Sequence, residues 1–170
     1  MFAAPKPARR SPRVLAASAV VGIALTGAAG CNPLHPTLPA PKPAAPATAQ
    51  SAYESRILVL VNVERGKAGL RPLAMIGCAD TYANNWAGSM ARTGTFAHQS
   101  LSPIMSACSA RRAGENIAYG NVSADAMMTM WMNSPGHRAN ILNGAYTHIG
   151  IGAVKSASGR WYGVQDFVTK

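Results

Sequence analysis

Apolar residues recur at helical spacing in three stretches of the chain and alternate in two others. Over Ile76 to Arg92, residues Ala79, Tyr82, Ala83, Trp86, Ala87, Met90 and Ala91 fall three and four apart, which predicts a helix with one apolar face. That face is mostly alanine, so another layer can approach it closely, and Tyr82 and Trp86 are read as packing residues. Tyr53 to Arg65 places Ile57, Leu60, Val61 and Glu64 on one stripe with Leu58 beside it. Ser51 followed three residues on by Glu54 reads as a capping box for this helix, and Gly66 and Gly69 end it. Leu70-Arg71-Pro72-Leu73 then folds apolar side chains back onto the core. A third helix begins after Ser123 and buries Ala126, Met127, Met130 and Trp131. It cannot pass Ser134-Pro135-Gly136, because Pro135 disfavours helical geometry at Ser134 and Gly136 permits a sharp reversal.

Alternation takes over in the remaining stretches. Between Arg111 and Gly120, Glu115, Ile117 and Tyr119 fall on one face of a strand and Asn116 and Ala118 on the other. His148 to Val154 and Trp161 to Val168 form a hairpin across a Ser- and Gly-rich turn at Lys155 to Arg160. In the first of these strands Gly150 and Gly152 alternate with Ile149, Ile151 and Ala153, leaving one face bare. The alanine face of the second helix is the natural layer to cover it.

Candidate chemistry gathers at the ends of these elements. Thr95 to Gln99 forms a loop after Gly94, with Phe96 expected to anchor it by burial and so to display His98 in a fixed place. A carboxylate on an apolar strand is costly unless paired, so Glu115 requires a partner, and histidines are the candidates. His137 follows a forced turn that sets its direction, which suits a ligand or a general base as well as a hydrogen-bonded structural role. His148, on the bare strand face, is a further candidate for the site or a structural residue. His35 is read as idle.

The N-terminal third changes the picture of where the protein works. Met1 to Arg13 carries Lys6, Arg9, Arg10 and Arg13 without an acidic residue, and an uncharged run, Val14 to Gly30, follows. At 17 residues this run falls short of the ~20 that a membrane-crossing helix needs, which favours an export signal over 1–30. Ala28-Ala29-Gly30-Cys31 resembles a bacterial lipobox, with Ala28 where Leu is usual, and implies lipidation of Cys31 and a membrane anchor there. Residues 31–50 hold six prolines among small residues, a semi-rigid spacer that keeps the domain at 51–170 off a surface. The protein is therefore expected outside the cell membrane, as an envelope lipoprotein or in secreted form, and as a monomer.

Charge and cysteines narrow the classes further. With the four basic residues of Met1 to Arg13 set aside, 12 Lys and Arg face 6 Asp and Glu, a net of +6 compatible with anionic lipids or wall polymers. No basic run interleaves with aromatics, and export argues against a nucleic-acid partner. Cys78 and Cys108 remain as a pair in an oxidising compartment, and their disulfide would close a loop of about 30 residues, worth roughly 3 kcal/mol. A zinc pair lacks the short cysteine spacing such sites show.

Several ordered motifs together carry a family resemblance. Asn62 and Arg65 within LVNVERGKAGLRPL, the Trp86 helix, Phe96-Ala97-His98, Gly114-Glu115-Asn116-Ile117-Ala118, Trp131 with Ser134-Pro135-Gly136-His137-Arg138, the strand opening Thr147-His148-Ile149-Gly150, and Trp161 to Phe167 resemble a bacterial CAP (SCP-like) domain. This is the family of cysteine-rich secretory, antigen 5 and pathogenesis-related 1 proteins, and the likeness covers about residues 53 to 168. It implies an α+β fold, a three-layer α-β-α sandwich with a mainly antiparallel central sheet and a central cleft. Members with the full pattern hold two histidines and two acidic residues in that cleft, and several bind a divalent metal. His98 matches the first histidine and Glu115 the first acid. Ser134 stands where the second acid is usual, and Ala145 where the strand histidine is usual; His137 is the candidate replacement.

His98, Glu115 and His137 are thus the expected catalytic or metal set, with zinc or another divalent ion as the implied cofactor. A two-nitrogen, one-oxygen zinc site would leave a coordination position open for water. Three function classes follow: an envelope binding module for a lipid, wall polymer or protein; a metal-assisted or histidine/glutamate hydrolase of peptidase type; and a purely structural polar cluster.

Overall fold

The computed structural model describes residues 48–170; the export signal, Cys31 and nearly all of the proline-rich spacer lie outside the described residues. In chain order the elements are α1 (Ala49–Lys67), β1 (Ala74–Met75), α2 (Gly77–Thr93), α3 (Ser102–Cys108), β2 (Arg112–Gly120), α4 (Ala124–Asn133), α5 (Pro135–Ile141), β3 (His148–Lys155) and β4 (Trp161–Thr169). The sheet runs β1-β3-β4-β2, antiparallel except for the short parallel pairing of β1 with β3. Helix α2 covers one face, and α1, α4 and α5 pack on the other, where Ile57, Val61, Met127, Trp131, Ile141 and Phe167 form the larger core. The expected three-layer α+β sandwich is the one observed.

The bare glycine face explains how tightly the α2 layer sits. A Cβ built on Gly150 would fall on the main chain of Ala79, and one on Gly152 on that of Ala83. Two rows of missing side chains, glycines on β3 and alanines on α2, thus let helix backbone rest directly on strand backbone.

Three local expectations need correction. Helix α4 buries Ala124, Met127, Met128 and Trp131, whereas Ala126 and Met130, expected on that side, face outward because the helix presents the 124–127–128–131 stripe to the core. The cap of α1 is Thr48, whose Oγ1 accepts from the Ser51 main-chain N–H at 3.1 Å, and Ser51 lies inside the helix. Glu54 does not close a capping box; its Oε1 instead accepts the Ala153 N–H of β3 at 3.0 Å and the Gln50 side-chain amide. An N–H on an open strand edge is the more demanding partner, because nothing else in the fold can satisfy it. Phe96 is 45% exposed and does not anchor its loop by burial. Trp86 does that work, donating its indole N–H to the Ala97 carbonyl at 2.8 Å.

Cys78 and Cys108 are bonded, tying the start of α2 to the end of α3. Behind the sheet, Arg65 is 1% exposed and its guanidinium donates to four carbonyls, those of Arg71, Ile141, Asn143 and Tyr146. One side chain of α1 therefore ties down the loop before β1 and the segment from the end of α5 to β3.

Candidate functional site

Three pieces of chain meet around β2. The loop after α2 approaches from one face of the sheet, and the junction of α4 with α5 approaches from the other. That junction forms as the sequence predicts: Ser134 is extended (φ −93°, ψ 118°), and Pro135 then starts α5 at its first position. His137 consequently sits in the first turn of a new short helix. Its carbonyl accepts from Asn116 Nδ2 at 3.0 Å, which fixes the turn to the sheet. Asn116 itself belongs to a buried amide network, accepting from Asn140 Nδ2 at 2.9 Å and donating to Gln165 Oε1 at 3.0 Å.

Between these pieces lies a cleft of about 380 Å³ lined by Phe96, His98, Tyr119, Met130, Ser134 and His137, with Ile117, Ala118 and Trp131 at its base. Its rim keeps large apolar groups in water: Phe96 is 45%, Met130 44% and Tyr119 40% exposed. Phe96 and Tyr119 rest on each other at 4.7 Å between ring centroids. Both candidate histidines reach this cleft. Glu115 does not line it; the carboxylate is buried behind His98, with its Oε1 2.5 Å from His98 Nδ1.

That contact orders the site. A carboxylate on Nδ1 selects the tautomer with the proton there and leaves Nε2 with its lone pair. Gln99 completes the arrangement by donating its side-chain amide to Glu115 Oε2 at 2.8 Å and to Asp166 Oδ2 at 3.0 Å. Asp166 pairs with Glu115 across β2 and β4 and has no exposed surface. Burial first, and the Glu115 charge second, push its carboxyl up to about 8, against the opposing Gln99 hydrogen bond. Asp166 is therefore protonated at pH 7. At His137, burial and then the facing His98 lower the pKa, so that its ring is neutral at pH 7.

The raised Asp166 pKa makes stability depend on pH. Between an unfolded-state value of roughly 4 and the folded value, the folded protein keeps a proton that the unfolded chain has lost. Stability from this group is complete below roughly pH 4 and is lost as pH rises toward 8, with a slope of up to ~1.4 kcal/mol per pH unit. Asp166→Asn is expected to flatten that slope between pH 5 and 8, as read by denaturant titrations at several pH values. Equal slopes in both proteins would place the Asp166 proton elsewhere.

The three-residue metal set expected of His98, Glu115 and His137 is not assembled. Both oxygens of Glu115 are committed to His98 and Gln99, and among the described residues no three His, Cys, Asp or Glu side chains group closely enough to hold a metal ion. The cleft presents two imidazoles, with Glu115 as the support of one of them. His148 lies outside the cleft lining, its Nδ1 at 2.9 Å from the Thr147 hydroxyl. Sequence reasoning missed Gln99, Asp166 and the amide network. Asp166 could have been found by the rule that singled out Glu115, since it too is an acid in the middle of an apolar strand.

An α-β-α sandwich with a histidine-bearing cleft at one sheet edge defines the class of fold. The family model for CAP, the cysteine-rich secretory protein family, matches residues 58–167, and the chain belongs to that family. It is 41% identical over 127 residues to the uncharacterized protein YkwD of Bacillus subtilis, a match covering 71% of this chain and 48% of that one. It is 34% identical over 128 residues to the uncharacterized membrane protein YlbC of the same organism, covering 71% of this chain and 36% of that one. The chain thus spans about half or less of the curated relatives it matches. Among solved structures, an extracellular SCP-domain protein of Bacillus anthracis superposes with a TM-score of 0.65 at 26% identity, covering 75% of this chain and 45% of that one. An outer surface protein of Borrelia burgdorferi shares the fold, with a TM-score of 0.63 at 20% identity over 68% of this chain and 91% of that one.

Proposed function

We propose that this is an exported cell-envelope binding module that holds its ligand in the cleft between the loop of His98 and the α4–α5 junction. The observation that carries this reading is the rim of Phe96, Tyr119 and Met130, three large apolar side chains left in water around two imidazoles and a serine hydroxyl. Clustered exposed apolar groups beside a few convergent polar ones are the usual composition of a ligand site. The basic and apolar N-terminal pattern, Cys31 and the proline-rich spacer support display from a membrane as a lipoprotein, with a lipid, wall polymer or protein as ligand. The extracellular and outer-surface relatives agree with export.

A second reading has its own observation, the 2.5 Å contact of His98 with Glu115. In a hydrolase of peptidase type, His98 Nε2 would take a proton from water attacking a bound carbonyl, and Glu115 would stabilise the imidazolium that forms. A metal-assisted version would require Glu115 to leave His98.

The two readings separate on Glu115→Gln. Under the binding reading, Tyr119→Ala weakens capture of phospholipid vesicles, wall fragments or peptides, whichever binds, by about tenfold, the loss of one anchor residue. Glu115→Gln leaves that capture within a few-fold of wild type. Turnover of peptide or wall substrates by wild type, abolished in Glu115→Gln, would replace binding by hydrolysis. Failure of all three materials to bind would sink the module reading.

A further inference from the structure

The two edges of the sheet are treated differently. On β3, outward groups from Ile149 to the Ala153 N–H are met by side chains or the chain beside them: Ile76 N–H donates to the Ile149 carbonyl at 3.0 Å, Asn84 Nδ2 to the Ile151 carbonyl at 3.2 Å, and the Ile151 and Ala153 N–H groups donate to Asp80 Oδ1 at 3.3 Å and Glu54 Oε1 at 3.0 Å. Two carboxylates and an amide thus close this edge against further pairing, the ordinary protection of an exposed strand.

The opposite edge, β2, lacks such partners over part of its length, where Tyr119 is exposed and Ile117 is buried at the base of the cleft. Its register with β4 and the outward Glu115 carbonyl, which accepts from Asn140 Nδ2 at 3.1 Å, show that the odd-numbered residues turn their main-chain groups away from the sheet. Beyond Glu115 the next outward residues are Ile117 and Tyr119. No hydrogen bond from another described residue reaches their outward N–H or carbonyl groups. These same residues line the cleft. The Ile117 side chain packs with the α2 layer, whereas Ala118 packs with the core under α4, so the cleft straddles the strand's edge, with Phe96 and His98 on one side and Met130 and His137 on the other.

We infer that the ligand of this cleft is an extended peptide segment that adds to β2 as a further strand, pairing with the main chain of Ile117 and Tyr119. This rests on the binding reading above and names its ligand class. Strand addition draws affinity from main-chain hydrogen bonds and specificity from pockets for alternate side chains. Here the aromatic and methionine rim receives one such side chain. The lining carries no Lys, Arg, Asp or Glu, so that side chain is apolar or neutral. His98 Nε2 lies beside the paired segment as a hydrogen-bond acceptor. An unpaired strand edge recognises backbone rather than sequence, and a peptide is the ligand chemistry that supplies alternating donors and acceptors at strand spacing.

The test is amide NMR of the ¹⁵N-labelled protein with a randomised pool of N-acetylated, C-amidated hexapeptides. A matched pool N-methylated at alternate residues serves as the comparison. In the free protein the Tyr119 amide should exchange rapidly with solvent, and the Ile117 amide, buried but unbonded, faster than its hydrogen-bonded neighbours on β2. The unmodified pool should shift both resonances and slow their exchange, while the N-methylated pool should bind about tenfold more weakly, the loss of one or two main-chain hydrogen bonds. Tyr119→Pro, compared with Tyr119→Ala, removes in addition one outward donor at an edge position that tolerates proline, and should bind the unmodified pool about tenfold more weakly than Tyr119→Ala does while the two variants differ little with the N-methylated pool. Slow exchange in the free protein, or equal responses to the two pools, would overturn strand addition. Cleft shifts with phospholipid vesicles or wall glycan but not with peptide would also overturn it and leave the binding module standing. Silence with all of these probes would remove both.

Discussion

Gly152→Ala is expected to cost about 3 kcal/mol or more of folding stability, the upper end of what overpacking does. A single methyl seldom has such an effect. The added Cβ at this position has nowhere to go, because it lands on the main chain of Ala83 and the next residue, and backbone cannot rotate away as a side chain would. Relief requires α2 to lift from β3, and α2 also carries the Trp86 anchor of the His98 loop and one half of the disulfide. Denaturant unfolding of the oxidised protein measures the loss. Ser158→Ala, on the exposed turn of the hairpin, should stay within about 0.5 kcal/mol as a control. A Gly152→Ala protein within 1 kcal/mol of wild type, on the same order as an ordinary substitution, would mean that the two backbones are not in contact.

Arg65→Met is the second large effect, expected at about 3 to 5 kcal/mol. Its guanidinium is the donor for the carbonyls of Arg71, Ile141, Asn143 and Tyr146, and no carboxylate lies within salt-bridge distance of it among the described residues. Removing the donor leaves the Ile141 and Tyr146 carbonyls buried without partners, which costs more than the hydrogen bonds contributed, and frees the part-buried Arg71 carbonyl, while that of Asn143 keeps the Tyr146 N–H. Arg65→Lys should recover little, since an ammonium cannot present a planar fork to four acceptors. Full rescue by lysine, read in the same denaturation assay, would mean that only the positive charge matters.

Much of this architecture was legible because burial imposes periodicity. The spacing of Ala79, Ala83, Ala87 and Met90 predicted α2 to within a residue or two, and the alternation of Gly150 and Gly152 with isoleucines predicted which layer covers β3. Elements too short to show a period were not legible: α3, β1 and the helical character of the chain at His137 each depend on tertiary contacts. The capping box at Ser51 and Glu54 was a sound local pattern overridden by the open N–H of Ala153, 99 residues from Glu54 in sequence. Phe96 lost its expected role as loop anchor to Trp86, which packs as expected, for a related reason. Hydrophobicity alone cannot say which of two aromatics near a loop is covered and which stays in water.

The candidate site followed the same division. That Glu115 needs a partner, and that a histidine is that partner, came from the cost of an unpaired buried acid and holds at the 2.5 Å contact with His98. That Glu115 would stand behind the histidine rather than beside it depends on how the loop of Gln99 crosses β2. No spacing encodes that crossing. The second acid near the site also comes from β4 rather than from the α4–α5 junction the motif suggests, with Asp166 meeting Gln99 while Ser134 faces the cleft.

The most direct test of the central claim is chemical-shift mapping of the protein against three separate materials: phospholipid vesicles, solubilised wall fragments and the hexapeptide pool. The account predicts that one of them perturbs Tyr119, His98 and His137 together, and that Tyr119→Ala weakens the response about tenfold without altering the fold. Perturbations that gather on another surface, with the cleft resonances unmoved by every material, would contradict it.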